Sequence, residues 1–137
     1  MKVLASETKI QICLGEQGAT NLNAHILITV PGYLKNKLTG RKVDLDLSAL
    51  QAIVYDEADE LFMQHNNHNC FEALKKHLKE KDVKPQHCMY SATYNNEVIE
   101  KSKLFVGTFT SFNIKKESLK LKGVKNFKLT LAEEDKV

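Results

Sequence analysis

Hydrophobic positions along this chain fall into short apolar runs separated by amphipathic stretches. Residues 10–14 carry four apolar side chains interrupted only by Gln11, and 25–30 read His-Ile-Leu-Ile-Thr-Val. Residues 52–55 read Ala-Ile-Val-Tyr, and 86–90 read Gln-His-Cys-Met-Tyr. Short apolar runs of this kind, bounded by turn and polar residues, predict strands. Residues 108–114 alternate in polarity and predict a fifth. Between the runs the period becomes helical. Pro31 suits the first position of a helix continuing to Leu38, closed by Gly40, Arg41 and Lys42. Residues 57–64 begin a second helix, with Leu61, Phe62 and Met63 on its apolar side. Phe71, Leu74 and Leu78 recur at helical spacing among Lys75, Lys76, Lys79, Glu80 and Lys81, which marks an amphipathic surface helix with a solvated lysine face. Asn95 suits an N-cap for a helix over 96–103 that turns Val98, Ile99 and Ser102 inward. Residues 43–48 read as a linker. Strands alternating with helices predict an α/β fold, a mostly parallel five-stranded sheet flanked by helices.

Composition adds limits. A length of 137 residues is one domain's worth, and 42% hydrophobic with 27% charged residues is ordinary for a globular domain. No apolar run approaches the roughly 20 residues of a membrane span, and the N-terminus lacks the apolar core of a signal peptide. Cys13, Cys70 and Cys88 form no Cys-x-x-Cys pair, which points to reduced thiols inside a cell. A net charge of +3 is compatible with a polyanionic partner and equally with a plain lysine-rich surface. His65, His68 and Cys70 lie within six residues, yet no fourth ligand stands at metal-site spacing; residues 65–70 read instead as a polar loop capping the next helix.

The candidate chemistry gathers at strand ends. The run 52–55 suits a strand buried on both faces and ends in Asp56, Glu57 and Asp59. Open α/β sheets bind ligands at the C-terminal ends of their strands. Three carboxylates there call for a positive partner, and hydrated Mg²⁺ against nucleotide phosphates is the usual one. Ser91 and Thr93 follow the run 86–90, and small hydroxyls at a strand end can bond a neighbouring acidic loop, with Asp59 as the expected partner. Pro31 places helix N-terminal amides after a strand, a natural anion site. Gly15 and Gly18 could let backbone approach a phosphate, or form a plain turn.

Asp56-Glu57-Ala58-Asp59, after its apolar strand, resembles motif II (Walker B) of the DEAD-box RNA helicases. Ser91-Ala92-Thr93, 32 residues beyond Asp59 and also after a strand, resembles motif III. Val30-Pro31-Gly32-Tyr33 stands where the family carries motif Ib, usually Thr-Pro-Gly-Arg; the Pro-Gly turn is kept, and the hydroxyl and guanidinium are absent. Residues 115–127 resemble the inter-lobe linker of the translation-initiation and nuclear-pore mRNA-export subgroups. The resemblance implies a partial RecA-like (P-loop NTPase-type) lobe over 1–114, then the linker and the start of a second lobe over 115–137. It implies that Asp56 orients Mg²⁺ through water and that Glu57 positions or deprotonates the attacking water. Asp59, Ser91, Ala92 and Thr93 would couple ATP hydrolysis to unwinding, and Pro31, Gly32, Gly15 and Gly18 would meet the RNA backbone. ATP and Mg²⁺ are the implied cofactors. RNA and protein regulators are the implied partners, with no membrane, in the cytoplasm or nucleus, the nuclear pore included.

The 137 residues contain no Gly-x-x-x-x-Gly-Lys-Thr phosphate loop, no adenine-reading glutamine motif and no Pro-Thr-Arg-Glu-Leu-Ala motif. The expectation is a helicase segment that alone neither hydrolyses ATP nor unwinds RNA. Its open sheet edges favour self-association or marginal stability. The alternative is a catalytically dead, helicase-derived scaffold. A metal-dependent hydrolase built on the acids and histidines would explain neither 91–93 nor the linker.

Overall fold

The computed structural model describes residues 8–16, 18–19, 22–40, 45–114, 127–128 and 130. Their order is β1 (Ile12–Gly15), β2 (Ile26–Thr29), α1 (Pro31–Thr39), β3 (Ala52–Tyr55), α2 (Ala58–Met63), α3 (His65–Glu80), β4 (Gln86–Met89) and α4 (Asn96–Val106). β1 pairs with β2 and β3 with β4, both parallel, as two two-stranded sheets. Ile12 lies opposite Ile26 and Ala52 opposite Gln86. Parallel strands need a crossover, and α2 with α3 supplies it for the second pair. The class is α/β, small parallel sheets flanked by helices, as expected for part of a RecA-like lobe.

Two apolar clusters hold the elements together. Leu38 of α1 and Leu74 and Leu78 of α3 bury against Leu22, Leu45 and Leu47. Tyr55, Ala58, Phe62 and Phe71 form the second cluster, with Phe105 of α4 packed on it. Its rings touch in series: Tyr55–Phe62 at 5.3 Å, Phe62–Phe71 at 4.9 Å and Phe71–Phe105 at 5.2 Å between centroids. Each buried large apolar side chain contributes roughly 1.5–3 kcal/mol.

The helices follow local chemistry. Pro31 occupies the first turn of α1. Asn95 Oδ1 accepts the Val98 N–H at 2.9 Å and starts α4. Gly107, at φ +75°, closes α4 with its N–H on the Lys103 carbonyl at 3.0 Å.

Five readings from sequence are corrected. Within the stretch read as a linker, Leu45 and Leu47 are core residues, 4% and 8% exposed. The Asp46 N–H donates to Asn23 Oδ1 at 3.1 Å and pins them inward. Residues 65–70 are the first turns of α3 rather than a loop, because Asn67 and Cys70 extend the buried stripe of Phe71, Leu74 and Leu78. Residues 108–114 form no strand; Phe112 and Ile114 stand 91% and 71% exposed. Alternation makes a strand only where a neighbouring edge accepts its hydrogen bonds. Four strands in two pairs therefore replace the expected five-stranded sheet among the described residues. β3 is covered on one face only: Tyr55 is buried, whereas Val54 is 64% exposed. Residues 115–126, with most of the expected linker, lie outside the described residues. No helix among the described residues is long and apolar enough to cross a membrane.

Candidate functional site

The ends of β3 and β4 are laced together beyond the strands. The Tyr90 N–H donates to the Tyr55 carbonyl at 2.8 Å, and the Ala58 N–H donates to the Tyr90 carbonyl at 2.9 Å. This continuation of the parallel ladder brings the acidic turn and residues 91–93 to one end of the sheet.

Asp56 and Glu57 are exposed there. Asp56 Oδ1 accepts the Glu57 N–H at 3.1 Å. Glu57 takes a left-handed conformation, φ 50° and ψ 52°, immediately before α2. For a side chain other than glycine, asparagine or aspartate this costs on the order of 1 kcal/mol. The Leu61 N–H bonds the Glu57 carbonyl at 3.0 Å, so the helix starts from this strained residue.

Asp59 uses both carboxylate oxygens. Oδ1 accepts the Glu60 N–H at 3.0 Å, and Oδ2 accepts the Thr93 hydroxyl. Thr93 foremost, then Ser91, hold this carboxyl below the usual aspartate range. Ser91 Oγ donates to the Thr93 carbonyl at 2.8 Å and accepts the Thr93 N–H at 3.2 Å, a closed serine turn. Ala92 is exposed between them.

The donor set at this end is hard oxygen, exposed and close to water. Among the described residues no three His, Cys, Asp or Glu side chains are grouped to cage an ion. One or two carboxylates without a cage fit Mg²⁺, which keeps several waters and leans on phosphate oxygens. His68 sets its ring edge-on to Phe105 at 5.4 Å, and Cys70 is 1% exposed with its thiol pushed up by burial.

Gly15 ends β1, Gly18 lies in the turn beyond it, and Pro31 and Gly32 open α1 after β2. Gly15 lies opposite Thr29 in register. A Cβ on Gly15 would meet Thr29 Oγ1 at 2.6 Å and Tyr33 Cε1 at 3.1 Å, so these side chains close over it. Gly18 has φ +91°, and Gly32 has open space where a Cβ would sit. Val30 gives α1 no side-chain cap. Tyr33 lies under the Lys37 ammonium at 5.6 Å.

Three features escaped the sequence reading. Tyr55 stacks on His87 at 5.8 Å and its hydroxyl lies 3.0 Å from His87 Nδ1, bracing the base of the acidic turn. The left-handed Glu57 carries no compositional mark. Tyr94, next to Thr93, packs onto the aromatic cluster.

The DEAD/DEAH box helicase profile matches residues 2–102. The chain belongs to this family. A probable eukaryotic initiation factor 4A of Trypanosoma brucei brucei is 33% identical over 104 residues, 72% of this chain and 25% of that protein. Eukaryotic initiation factor 4A-3 of Arabidopsis thaliana is 26% identical over 136 residues, 93% of this chain and 31% of that protein. DEAD-box ATP-dependent RNA helicase 38 of Arabidopsis thaliana is 27% identical over 113 residues, 82% of this chain and 22% of that protein. The chain thus spans about a quarter of the length of the curated relatives it matches. No solved structure matched it.

Proposed function

We propose that this DEAD-box chain carries the water-activating half of an ATP-dependent RNA helicase site. The observation that supports it best is the Asp59–Thr93 hydrogen bond, which ties the acidic turn to the segment after β4. In this reading Glu57 accepts a proton from, or orients, the water that attacks the γ-phosphate. Asp56 would hold the magnesium ion. Bound magnesium supplies charge neutralisation on the phosphates. Asp59, Ser91, Ala92 and Thr93 transmit the state of the acidic turn to the RNA-bound surface. In this reading Pro31, Gly32, Gly15 and Gly18 lie along the RNA backbone, with Tyr33 in place of a charged contact.

Residues 1–114 are assigned to the first lobe, and 115–137 to the linker and the start of a second. The 137 residues alone are inactive in this reading, because they hold no phosphate-loop sequence to grip ATP. Translation initiation and mRNA export are the processes suggested by the linker resemblance, with residence in cytoplasm or nucleus. Protein regulators and self-association through the open sheet edges complete the expected partners. Val30 and Tyr33, which depart from the motif Ib pattern, favour the second reading, a helicase-derived scaffold without catalysis.

The test is a segment exchange. This chain replaces the matching 104-residue stretch of the Trypanosoma brucei brucei relative. RNA-stimulated ATP turnover that disappears on Glu57→Gln supports the helicase reading. A folded exchange protein without turnover supports the scaffold. ATP turnover by the isolated chain, lost on Glu57→Gln, would show that the 137 residues suffice.

A further inference from the structure

A groove of about 420 Å³ opens between the second half of α3, the turn over 82–85 and the last turn of α4. None of Asp56, Glu57, Asp59, Ser91 and Thr93 lines it. Its floor is apolar, with Phe71, Leu74 and Leu78 of α3, Tyr55 of β3 and Val106 of α4. One polar pair is set into that floor, the Tyr55 hydroxyl 3.0 Å from His87 Nδ1. A mostly apolar lining with few polar groups is the make-up of a binding site. The rim is cationic: Lys75, Lys79 and Lys84 line it against one acid, Asp82. Lys75 Nζ donates to the Leu104 carbonyl at 2.7 Å, which fixes the ammonium beside α4 and leaves it further N–H groups for a ligand. Lys79 makes no ion pair among the described residues. Lys84 meets Asp82 at 3.3 Å, an exposed pair that holds weakly and exchanges for another carboxylate.

Lysines around an apolar floor select a ligand that is apolar at its centre and negative at its flanks. Nucleic-acid bases fit poorly. Tyr55 and Phe71 are buried and packed edge to face at 6.1 Å, so neither ring offers an open face for stacking. The chain's own residues 108–114 leave the groove wall after Val106, but they carry no acid and run into Lys115 and Lys116, the wrong charge for this rim. We propose that the groove docks an acidic peptide segment of a partner protein. An aromatic or leucine side chain of that segment seats on Phe71, Leu74 and Leu78, and its carboxylates meet Lys75, Lys79 and Lys84. Tyr55, beneath the seated side chain, directly precedes Asp56, so the partner bears on the base of the acidic turn. The docking itself does not depend on the helicase function proposed above.

The experiment titrates a fluorescein-labelled peptide, Glu-Asp-Phe-Leu-Asp-Glu, with the 137-residue chain and reads anisotropy. Binding is expected, weakening as salt is raised. It is lost when lysines replace the peptide's acids or serines replace Phe-Leu. Lys79→Glu with Lys84→Glu weakens it by about tenfold or more. Both lysines are exposed, so the variant keeps the fold, which circular dichroism verifies. Lys76→Glu, on α3 but outside the groove, leaves the affinity unchanged. Val106→Trp fills the groove without altering its charge and blocks the peptide. No binding, equal binding of the lysine peptide, or an affinity indifferent to the Lys79 and Lys84 reversal overturns the proposal. Displacement of the peptide by decauridine, itself weakened by that reversal, would assign the groove to RNA instead. Peptide binding that appears only in Phe112→Ser/Ile114→Ser would show that the chain's own segment fills the groove, which also overturns it. An inactive segment-exchange protein would refute the helicase reading and leave this binding unaffected.

Discussion

Asn67 of α3 donates from Nδ2 to the Leu61 carbonyl of α2 at 3.1 Å, with a second contact to Gln64 Oε1 at 3.4 Å. Asn67 is only 9% exposed, and its amide satisfies a carbonyl in the last turn of α2 that has no helical partner. The bond fixes the angle at which the acidic helix meets the long helix. Asn67→Ala is expected to lower stability by about 1–3 kcal/mol, since it strands a partly buried carbonyl. Urea unfolding checks this, and an unchanged midpoint would mean that water serves that carbonyl equally well.

Gly15 and Gly32 are both expected along the RNA backbone by resemblance, and the structure gives them different surroundings. A Cβ at Gly15 runs into Thr29 Oγ1 at 2.6 Å and Thr29 Cβ at 2.8 Å, whereas Gly32 has open space. Gly15→Ala is expected to cost roughly 1–3 kcal/mol by prising β1 from β2. Gly32→Ala, inside helix α1, should gain up to about 1 kcal/mol. Thermal unfolding of both variants decides, and equal shifts would contradict this geometry.

Much of the fold was legible because local rules and tertiary structure agree. Pro31 at the start of α1, Asn95 as a cap and the stripe Phe71-Leu74-Leu78 each state their role in the chain itself. The misses share a cause, which is dependence on a partner distant in sequence. Leu45 and Leu47 look like linker until Leu74 and Leu78 are seen beneath them. Residues 108–114 look like a strand, but no strand edge receives them among the described residues. At the site, Asp59 and Thr93 could be matched from strand-end chemistry. The left-handed Glu57 and the unbonded Tyr94 hydroxyl are properties of backbone and burial that residue type does not encode.

Acid should unfold the chain in two windows. Burial lowers the His87 pKa from its ordinary 6.5. A base with a depressed folded pKa is stabilising above its unfolded value, and that contribution is lost as pH falls from 6.5 through the folded value. His87→Gln keeps an acceptor for the Tyr55 hydroxyl and should flatten the loss of melting temperature as pH falls below the ordinary 6.5. Asp59 and Asp46, both held below the ordinary 3.8, act lower. Their contribution is present above 3.8 and disappears as pH drops through their folded values. Asp46→Asn with Asp59→Asn should remove dependence only in that lower window. A single transition unaffected by either set of variants would refute the assignment.

Glu57 and Asp82 are the two non-glycine residues at positive φ among the described residues, both at 50°. Aspartate tolerates the left-handed region far better than glutamate, because its short side chain bonds locally. Glycine relieves the strain at either site and adds entropy to the unfolded chain. The balance should favour Glu57→Gly, which is expected to be neutral or stabilising by up to about 1 kcal/mol, above Asp82→Gly, which should be neutral or slightly destabilising. Glu57→Gln keeps the strain and should leave stability unchanged while removing the carboxylate. A chain made more stable by losing Glu57 would mark that residue as kept for chemistry at a cost to the fold. Urea midpoints of the three variants supply the comparison. Destabilisation by Glu57→Gly beyond that of Asp82→Gly would mean that the Glu57 side chain itself supports the turn.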